Sequence, residues 1–197
     1  MMNLCVFQGT FNPIHNAHIR VVDYVARKYN FEKILFIPAY NPPHKICDNN
    51  EAVHRLNMVK LAVESLDNIE VSDIEFQRKG VSYTYLTICE LIKKYKIKNK
   101  ISFIIGTDAF EKIESWYKIQ ELKKLVHFIV FAREQSFNPK KIEYLRKNGY
   151  DFEVETLDFE DISSTQIREK IKNNENIEKY VDKKVEEYIR KYGLYRN

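Results

Sequence analysis

The sequence predicts an α/β fold with a doubly wound, mostly parallel sheet and a C-terminal helical segment, and three observations lead to this prediction. Several continuous apolar runs are bounded by turn residues, as strands buried on both faces of a parallel sheet require. Helix-length amphipathic segments lie between these runs, and alternating strands and helices pack through right-handed crossovers. The chain of 197 residues is long enough for one substantial core and short for two, so we expect a single domain over residues 1–197.

The predicted elements follow these patterns in chain order. Four strong strand candidates are Asn3–Phe7, Lys33–Ile37, Ile101–Ile105 and Phe128–Ala132, and two weaker ones are Ile69–Ser72 and Phe152–Leu157. The predicted helices are Ala17–Tyr29, Glu51–Ser65, Tyr83–Tyr95, Pro139–Lys147, Ser164–Lys172 and Lys179–Tyr192. The segments Asp48–Asn50 and Lys172–Glu178 are interpreted as polar loops. Ligands of doubly wound sheets bind at the carboxyl ends of the strands, so the residues that follow each strand are the candidates for a site.

Composition argues against several classes of protein. With 32 basic and 28 acidic residues the net charge is +4, and the basic residues are spread widely, which is weak support for nucleic-acid binding. The three cysteines, Cys5, Cys47 and Cys89, are far apart and suggest neither a disulfide framework nor a zinc site, and Cys5 is expected to pack as a small apolar residue. No apolar run is long enough for a membrane span, and the N-terminus lacks the pattern of a signal peptide. We therefore expect a cytoplasmic protein with no membrane or nucleic-acid partner, and the formation of a homo-oligomer stays open.

The most informative stretch is Val6–His18, which reads as an apolar strand, a tight glycine-containing turn and the opening of a helix. A helix start presents unpaired N–H groups and the positive end of the helix dipole, which favour an anion. His15 and His18 are three residues apart and share a helix face, so both imidazoles can point at the same bound group. Metal ligation would need a third ligand at suitable spacing, and the other histidines are scattered. A phosphate site is the interpretation that uses all of these features.

Two clusters carry polar residues ahead of predicted helices. The loop Pro38–Lys45 is stiffened by its prolines, and His44 with Lys45 could close over a polyphosphate. The alternative is a surface loop with incidental charge. Ser82 is placed to cap the following helix, and Thr84 could add a contact to a ligand.

Two more clusters follow the later strand candidates. Gly106 would let a ligand approach the backbone, and Asp108 can accept hydrogen bonds from a hydroxyl or an amide, or else cap a helix. Trp116, the only tryptophan, is either a core residue or a platform for a ring. Arg133 comes directly after a predicted strand and is either a ligand contact or a solvated charge.

The last cluster, Asp161–Arg168, has the pattern of a capped helix start. Ser163 or Ser164 could cap the helix, while exposed hydroxyl and N–H groups could receive a phosphate. Arg168 lies one turn into the helix and could supply a fork of donors. A cap needs only one hydroxyl, so three hydroxyls together with an arginine favour phosphate binding.

Two of these motifs resemble those of the nucleotidyltransferase superfamily. The segment 9–18, GTFNPIHNAH, is similar to the motif G-x-F-D-P-x-H-x-G-H, and the segment 162–168, ISSTQIR, is similar to I-S-S-T-x-I-R. Within the superfamily the chain resembles the bacterial nicotinate-nucleotide adenylyltransferases. That resemblance rests on the segments 42–45 (PPHK), 82–84 (SYT), 106–108 (GTD) and 188–195 (YIRKYGLY), and on Trp116. It spans nearly the whole chain.

Three positions depart from the usual motif. Gln8 stands where glycine is common, Asn12 where aspartate is usual, and Ala17 where glycine is usual. The methyl group of Ala17 could crowd a nucleotide packed over the turn, and we expect a changed affinity rather than a loss of activity. Asn12 keeps a capping side chain but removes a negative charge.

The resemblance implies a Rossmann-like nucleotidyltransferase fold and the transfer of AMP from ATP to nicotinate mononucleotide. The products would be nicotinate adenine dinucleotide, a precursor of NAD, and pyrophosphate. The mononucleotide phosphate would attack the α-phosphorus directly, so no covalent enzyme intermediate is implied and catalysis is positioning and charge stabilisation. The implied cofactor is Mg²⁺, bound mainly through the ATP phosphates, with no metal site of the protein itself.

Site residues follow from the same motif match. His15 and His18 would be catalytic, with His18 nearest to the α-phosphate, and Trp116 would stack on the pyridine ring. The implied ATP-binding residues are Gly9, Thr10, Phe11, His15, His18, Lys45, Ser164, Thr165 and Arg168, of which the last four would hold the leaving pyrophosphate. The implied mononucleotide-binding residues are His44, Thr84, Gly106, Asp108, Trp116, Tyr117 and Arg133.

Three other functions stay open. A related transferase could act on phosphopantetheine, on nicotinamide mononucleotide or with a cytidylyl donor, although pantetheine enzymes are typically shorter and lack the second motif in this form. A nucleotide-binding regulator without turnover is supported only by the departures at Gln8, Asn12 and Ala17. A nucleic-acid-binding module is suggested by the basic pI, but the chain lacks a basic stripe interleaved with aromatic residues.

Overall fold

Six parallel strands form a central sheet in the computed structural model, which describes residues 2–43, 49–132, 139–157 and 162–196. The strands are β1 (Leu4–Gly9), β2 (Lys33–Pro38), β3 (Ile69–Val71), β4 (Ile101–Gly106), β5 (Val126–Ala132) and β6 (Phe152–Thr156). Their order across the sheet is β3-β2-β1-β4-β5-β6, with every neighbouring pair parallel. The strand order therefore switches between β1 and β4, and the predicted doubly wound α/β fold is confirmed.

Helices connect the strands and cover both faces of the sheet. They are α1 (Asn16–Lys28), α2 (Asn49–Val63), α3 (Ile74–Arg78), α4 (Thr84–Tyr95), α5 (Thr107–Phe110), α6 (Ile119–Leu125), α7 (Pro139–Lys147), α8 (Ser164–Lys172) and α9 (Lys183–Tyr192), with a 3-10 turn at Ile113–Ser115. Within the described ranges no helix combines the length and the apolar character that a bilayer crossing demands.

Each strand contributes to two hydrophobic layers because successive side chains point to opposite faces of the sheet. In β1, Leu4 and Val6 pack into the layer beneath α4 and α6, and Cys5 packs into the layer beneath α1, α2, α8 and α9. Cys5 is fully buried, as predicted, and this burial raises the pKa of its thiol. The unbroken apolar runs of the central strands follow from burial on both faces.

The structure corrects several predicted boundaries. Asn49 and Asn50, interpreted as loop residues, lie in the first turn of α2. The last helix begins at Lys183 rather than Lys179, because the Asp182 carboxylate accepts the Lys184 N–H at 2.8 Å and caps the helix. The Ser82 hydroxyl does not cap α4. It accepts the Asn41 N–H at 2.9 Å instead.

Three helices escaped the sequence analysis, namely α3, α5 and α6. They have five, four and seven residues, so none is long enough for an apolar period of 3.6 to repeat clearly. Such short helices depend on the surrounding packing rather than on their own propensity. Ile74, Phe110 and Leu122 supply that packing from the three helices.

Candidate active site

The connection between β1 and α1, residues 10–15, forms a turn whose shape depends on a close approach of Gly9 and Phe11. A Cβ on Gly9 would lie 2.9 Å from the Phe11 ring, so only glycine fits there without displacing the ring. The ring itself is 3% exposed and packs edge-on against Phe7 and His18, at 5.3 and 5.0 Å. Phe11, implied by the motif to bind ATP, therefore contributes a buried side chain that supports His18 from behind.

The two histidines lie together at the start of α1. Their rings are 3.7 Å apart between centroids with 31° between their planes. His15 is the N-cap residue rather than part of the helix, and its backbone N–H donates to Nδ1 of His18 at 3.2 Å. Because Nδ1 accepts, a neutral His18 ring carries its proton on Nε2. Nε2–H is then the donor that His18 can offer to an anion.

Arginine side chains hold this turn from two distant helices. Arg55 of α2 is fully buried and donates through Nη1 to the carbonyls of Thr10 and Ala39, at 2.8 and 2.6 Å. Arg168 of α8 donates through Nη1 to the Asn12 carbonyl at 2.7 Å. The first and last motifs, at opposite ends of the chain, are thus joined directly.

Arg55 was missed by the sequence analysis, although its position carries a signal. It shares the apolar face of α2 with Ala52 and Val59, at spacings of three and four residues. A cation on a core-facing helix stripe needs buried acceptors. Here the acceptors are backbone carbonyls of the β1–α1 turn and of the loop after β2.

The last motif forms the start of α8. Ser163 is the N-cap, and its hydroxyl accepts the Gln166 N–H at 3.2 Å while the Gln166 side chain accepts the Ser163 N–H at 2.7 Å. Ser164 donates its hydroxyl to the Pro13 carbonyl at 2.9 Å. Thr165 is exposed and accepts from Nη2 of Arg168 at 3.1 Å. Only the Ser163 hydroxyl caps the helix. The Ser164 hydroxyl binds the β1–α1 turn instead, and the Thr165 hydroxyl binds the Arg168 guanidinium.

A cleft of about 290 Å³, the histidine cleft, opens beside this turn. His15, His18 and Ser164 line one side, and Gly106 and Asp108 line the side formed by the end of β4. Gly106 and Asp108 were grouped with Trp116 by the motif match, and the structure places them here, beside the histidines. Asp108 lies in the first turn of α5, whose N-cap is Gly106.

A second cleft of about 800 Å³, the aromatic cleft, lies on the other side of the end of β1. Phe7 borders the histidine cleft and Gln8 borders the aromatic cleft, because neighbouring residues of a strand face opposite ways. Trp116 and Tyr117 line the aromatic cleft, and Tyr117 stacks on Tyr83 at 4.4 Å. Gly9, Thr10 and Thr84 also belong to its lining.

Most of the predicted site residues that the structure describes line one of the two clefts, whereas Phe11, Thr165 and Arg168 line neither. Trp116 is half-buried, lies nearly perpendicular to the ring of Phe103 at 6.1 Å between centroids, and also lines the aromatic cleft. His44, Lys45 and Arg133 lie outside the described residues.

Gln8 has a structural partner that the sequence did not indicate. Its Nε2 donates to Glu75 at 2.6 Å, and Glu75 is a carboxylate with 1% exposure. The same carboxylate accepts the Tyr40 N–H at 3.2 Å and the Thr87 hydroxyl at 2.5 Å, and Arg78 lies 3.6 Å away. Gln8, which lines the aromatic cleft, thus connects the end of β1 to α3 through Glu75.

Comparisons with known proteins agree with this geometry. The model of the cytidylyltransferase-like family matches residues 6–170. A protein of Clostridium tetani (strain Massachusetts / E88) named probable nicotinate-nucleotide adenylyltransferase is 40% identical, and one of the same name from Clostridium botulinum (strain Kyoto / Type A2) is 38% identical, each over the full length of both chains. The chain belongs to the cytidylyltransferase-like family, among the nicotinate-nucleotide adenylyltransferases.

Solved structures support the fold of this adenylyltransferase family member. Nicotinic acid mononucleotide adenylyltransferase of Plasmodium falciparum, complexed with NaAD, has a TM-score of 0.82 at 22% identity, covering 99% of this chain and 98% of that one. The same enzyme complexed with APC has a TM-score of 0.80 at the same identity and coverage. The family resemblance found in the sequence is confirmed.

The close approach at Gly9 leads to a prediction about stability. Gly9→Ala places a methyl group too close to the buried Phe11 ring, which then has to move. We expect the free energy of unfolding to fall by about 1–3 kcal/mol. Gly106→Ala is the matched control, because a Cβ there meets no atom within 4 Å. Urea denaturation of the two variants measures the difference, and equal midpoints would show that the Phe11 ring does not constrain Gly9.

Proposed function

We propose that the protein transfers AMP from MgATP to nicotinate mononucleotide, forming nicotinate adenine dinucleotide and releasing pyrophosphate. The observation that carries this proposal is the pair of clefts at the end of β1, one lined by stacked histidines and the other large and aromatic. Two nucleotides bound on either side of this strand end would bring an acceptor phosphate towards the phosphates of ATP. The names of the full-length relatives specify the same reaction class.

The reaction needs no nucleophile from the protein. An oxygen of the mononucleotide phosphate forms the new bond to the α-phosphorus, the bond from that phosphorus to the bridging oxygen breaks, and pyrophosphate leaves with the electron pair. Negative charge grows on the leaving group, so fixed donors accelerate the step. His18 would donate through Nε2 to the α-phosphate, and the N-terminus of α1 would add its dipole.

The remaining phosphate contacts are proposed from the start of α8 and from the family motif. Ser164, Thr165 and Arg168 would hold the pyrophosphate, and we propose the same role for Lys45 on the motif match alone. Arg168 has five N–H donors and uses two on Asn12 and Thr165, so others can serve phosphate oxygens.

The nucleoside parts would occupy the two clefts. We propose that Thr84, Trp116 and Tyr117 bind the mononucleotide, together with His44 and Arg133. Because Gly106 and Asp108 line the histidine cleft, we propose that Asp108 accepts hydrogen bonds from the ribose of the nucleotide bound there.

Magnesium would enter with ATP as part of the substrate. Among the residues that the structure describes, no three His, Cys, Asp or Glu side chains converge on a common point. Mg²⁺ is typically bound by substrate phosphates and water with one or two carboxylates. Binding through the phosphates of ATP needs no metal cage of the protein, which fits the described residues.

Substrate classes other than nucleotides have weaker support. The net charge of +4 is spread over the sequence, so we propose small-molecule substrates rather than nucleic acid. A cytoplasmic location is part of the same proposal, since ATP and pyridine nucleotides are used there.

The deciding experiment measures pyrophosphate release by the purified protein with ATP and Mg²⁺. Nicotinate mononucleotide, nicotinamide mononucleotide and phosphopantetheine are compared as acceptors. We expect a strong preference for the nicotinate form. Preference for another acceptor would support adenylyl transfer but contradict nicotinate mononucleotide as the substrate. ATP binding without pyrophosphate release would favour a regulator without turnover.

His18→Ala is expected to lower turnover by roughly two to three orders of magnitude, because a donor to the reacting phosphate is lost. The control is His127→Ala, at the amino end of β5, whose ring contacts Asp151 and Glu153 away from both clefts. Steady-state pyrophosphate release is measured for both, alongside melting temperature. Near wild-type turnover of the His18 variant would remove this residue from the mechanism.

Trp116→Ala is expected to raise KM for the mononucleotide roughly 10- to 100-fold while KM for ATP changes little, since ring stacking contributes to one substrate only. Trp116→Phe keeps an aromatic face and should recover most of the affinity. Initial rates with each substrate varied in turn give both constants. A similar rise of both constants in the alanine variant would indicate a purely structural role of Trp116.

A further inference from the structure

Asn12 lies between two side chains that belong to neither motif. Its Oδ1 accepts the hydroxyl of Tyr195 at 2.5 Å, and its Nδ2 donates to Oε1 of Glu51. Glu51 is in the first turn of α2, and Tyr195 belongs to the segment that follows α9. Three distant parts of the chain therefore meet at a position where the motif usually has aspartate.

An amide can make both of these bonds at once, whereas an ionised carboxylate cannot. A carboxylate accepts but does not donate, so an ionised aspartate would face Glu51 with no proton between two negative oxygens. Asn12 offers a donor to Glu51 and an acceptor to Tyr195 at once. Asn12 and Glu51 are thus a matched pair, and the departure from the motif has a local chemical reason.

The Tyr195 hydroxyl is kept in its donor form. Burial raises the pKa of Tyr195, and the nearby Glu51 carboxylate raises it further, against the smaller opposing effects of Arg55 and Arg168. A phenol is already protonated at neutral pH at its ordinary pKa, so the hydroxyl can donate to Asn12, and the raised pKa extends this state to more alkaline pH.

Asn12 also touches the site itself. Its backbone carbonyl accepts the 2.7 Å hydrogen bond from Nη1 of Arg168, whose Nη2 reaches Thr165. A shift of Asn12 would therefore move an acceptor that orients the Arg168 guanidinium. The histidines begin only three residues further along the turn.

We propose that Glu51 and Tyr195 are positioning residues for ATP, acting through Asn12 to fix the β1–α1 turn and the direction of the Arg168 guanidinium. This inference rests on the proposed function, in which Arg168 binds the phosphates of ATP. It assigns a role to the C-terminal tail, which lies outside both motifs.

A double-mutant cycle tests the pairing of Asn12 with Glu51. We expect Asn12→Asp to weaken binding of MgATP about tenfold, and Glu51→Gln to change it little because the glutamine oxygen still accepts from Asn12. In the double variant the introduced glutamine amide can donate to the new carboxylate, and affinity should return to within about threefold of wild type. An affinity of the double variant as low as that of Asn12→Asp, or unimpaired binding by Asn12→Asp alone, would overturn the proposal.

Titration calorimetry of MgATP without an acceptor is the readout. If the wild-type protein binds MgATP and the rescue occurs, the positioning role stands even where the acceptor assay contradicts the proposed substrate. If MgATP binds and no rescue occurs, the positioning role alone fails.

Tyr195→Phe tests the tail with a change of one hydroxyl group. We expect KM for ATP to rise several-fold and KM for the mononucleotide to stay the same, while the ring preserves the fold. Tyr192→Phe is the control, because Tyr192 is 49% exposed on α9 and contacts His54 and Tyr188 rather than the turn. A lower melting temperature of Tyr195→Phe with unchanged KM for ATP would show that the contact only stabilises the fold.

Discussion

The site depends on the hydrogen bonds between arginine side chains and the backbone carbonyls of the β1–α1 turn. Burying a guanidinium is unfavourable unless its donors are satisfied, so the position of Arg55 at 0% exposure requires the carbonyls of Thr10, Ala39 and Tyr40 to stay where they are. Arg168 imposes the same requirement on Asn12 from the other side of the turn. A turn restrained in this way can keep His15 and His18 oriented without a ligand to organise them.

This restraint also sets the electrostatics of the two clefts. Arg55 and Arg168 place positive charge next to the turn, and the N-terminal end of α1 adds its dipole. Negative charge near the turn is limited by Asn12, which presents an amide rather than a carboxylate to Glu51. The arrangement favours a polyanion at the end of β1, and because the donors are held by the fold, little reorganisation is needed as charge develops on a leaving pyrophosphate.

The parts of the molecule that could be predicted from the sequence are those with a long or repeated signal. The central strands are mostly apolar because both of their faces are buried, and their positions and the mostly parallel sheet were predicted from that pattern. The pairing of His15 with His18 followed from their spacing, although His15 caps the helix instead of joining it.

Arg55 and Glu75 could not be predicted in the same way, because their partners are backbone groups or side chains that only the folded chain brings near. The division of Gly106 and Trp116 between two clefts likewise depends on which face of the sheet each loop covers.

The three departures from the motif take on a different meaning once their surroundings are known. A protein that keeps the fold without turnover would be expected to lose donors from the turn and leave gaps behind them. Gln8 instead fills its position with a bond to the buried Glu75, and Asn12 with bonds to Glu51 and Tyr195. Ala17 adds a single buried methyl to the lining of the histidine cleft, which His15 and His18 share. Gln8 and Asn12 have new partners, Ala17 makes the smallest possible steric change, and both histidines and Arg168 are present. The departures are therefore compensated within the fold, and they no longer favour a regulator without turnover over an enzyme.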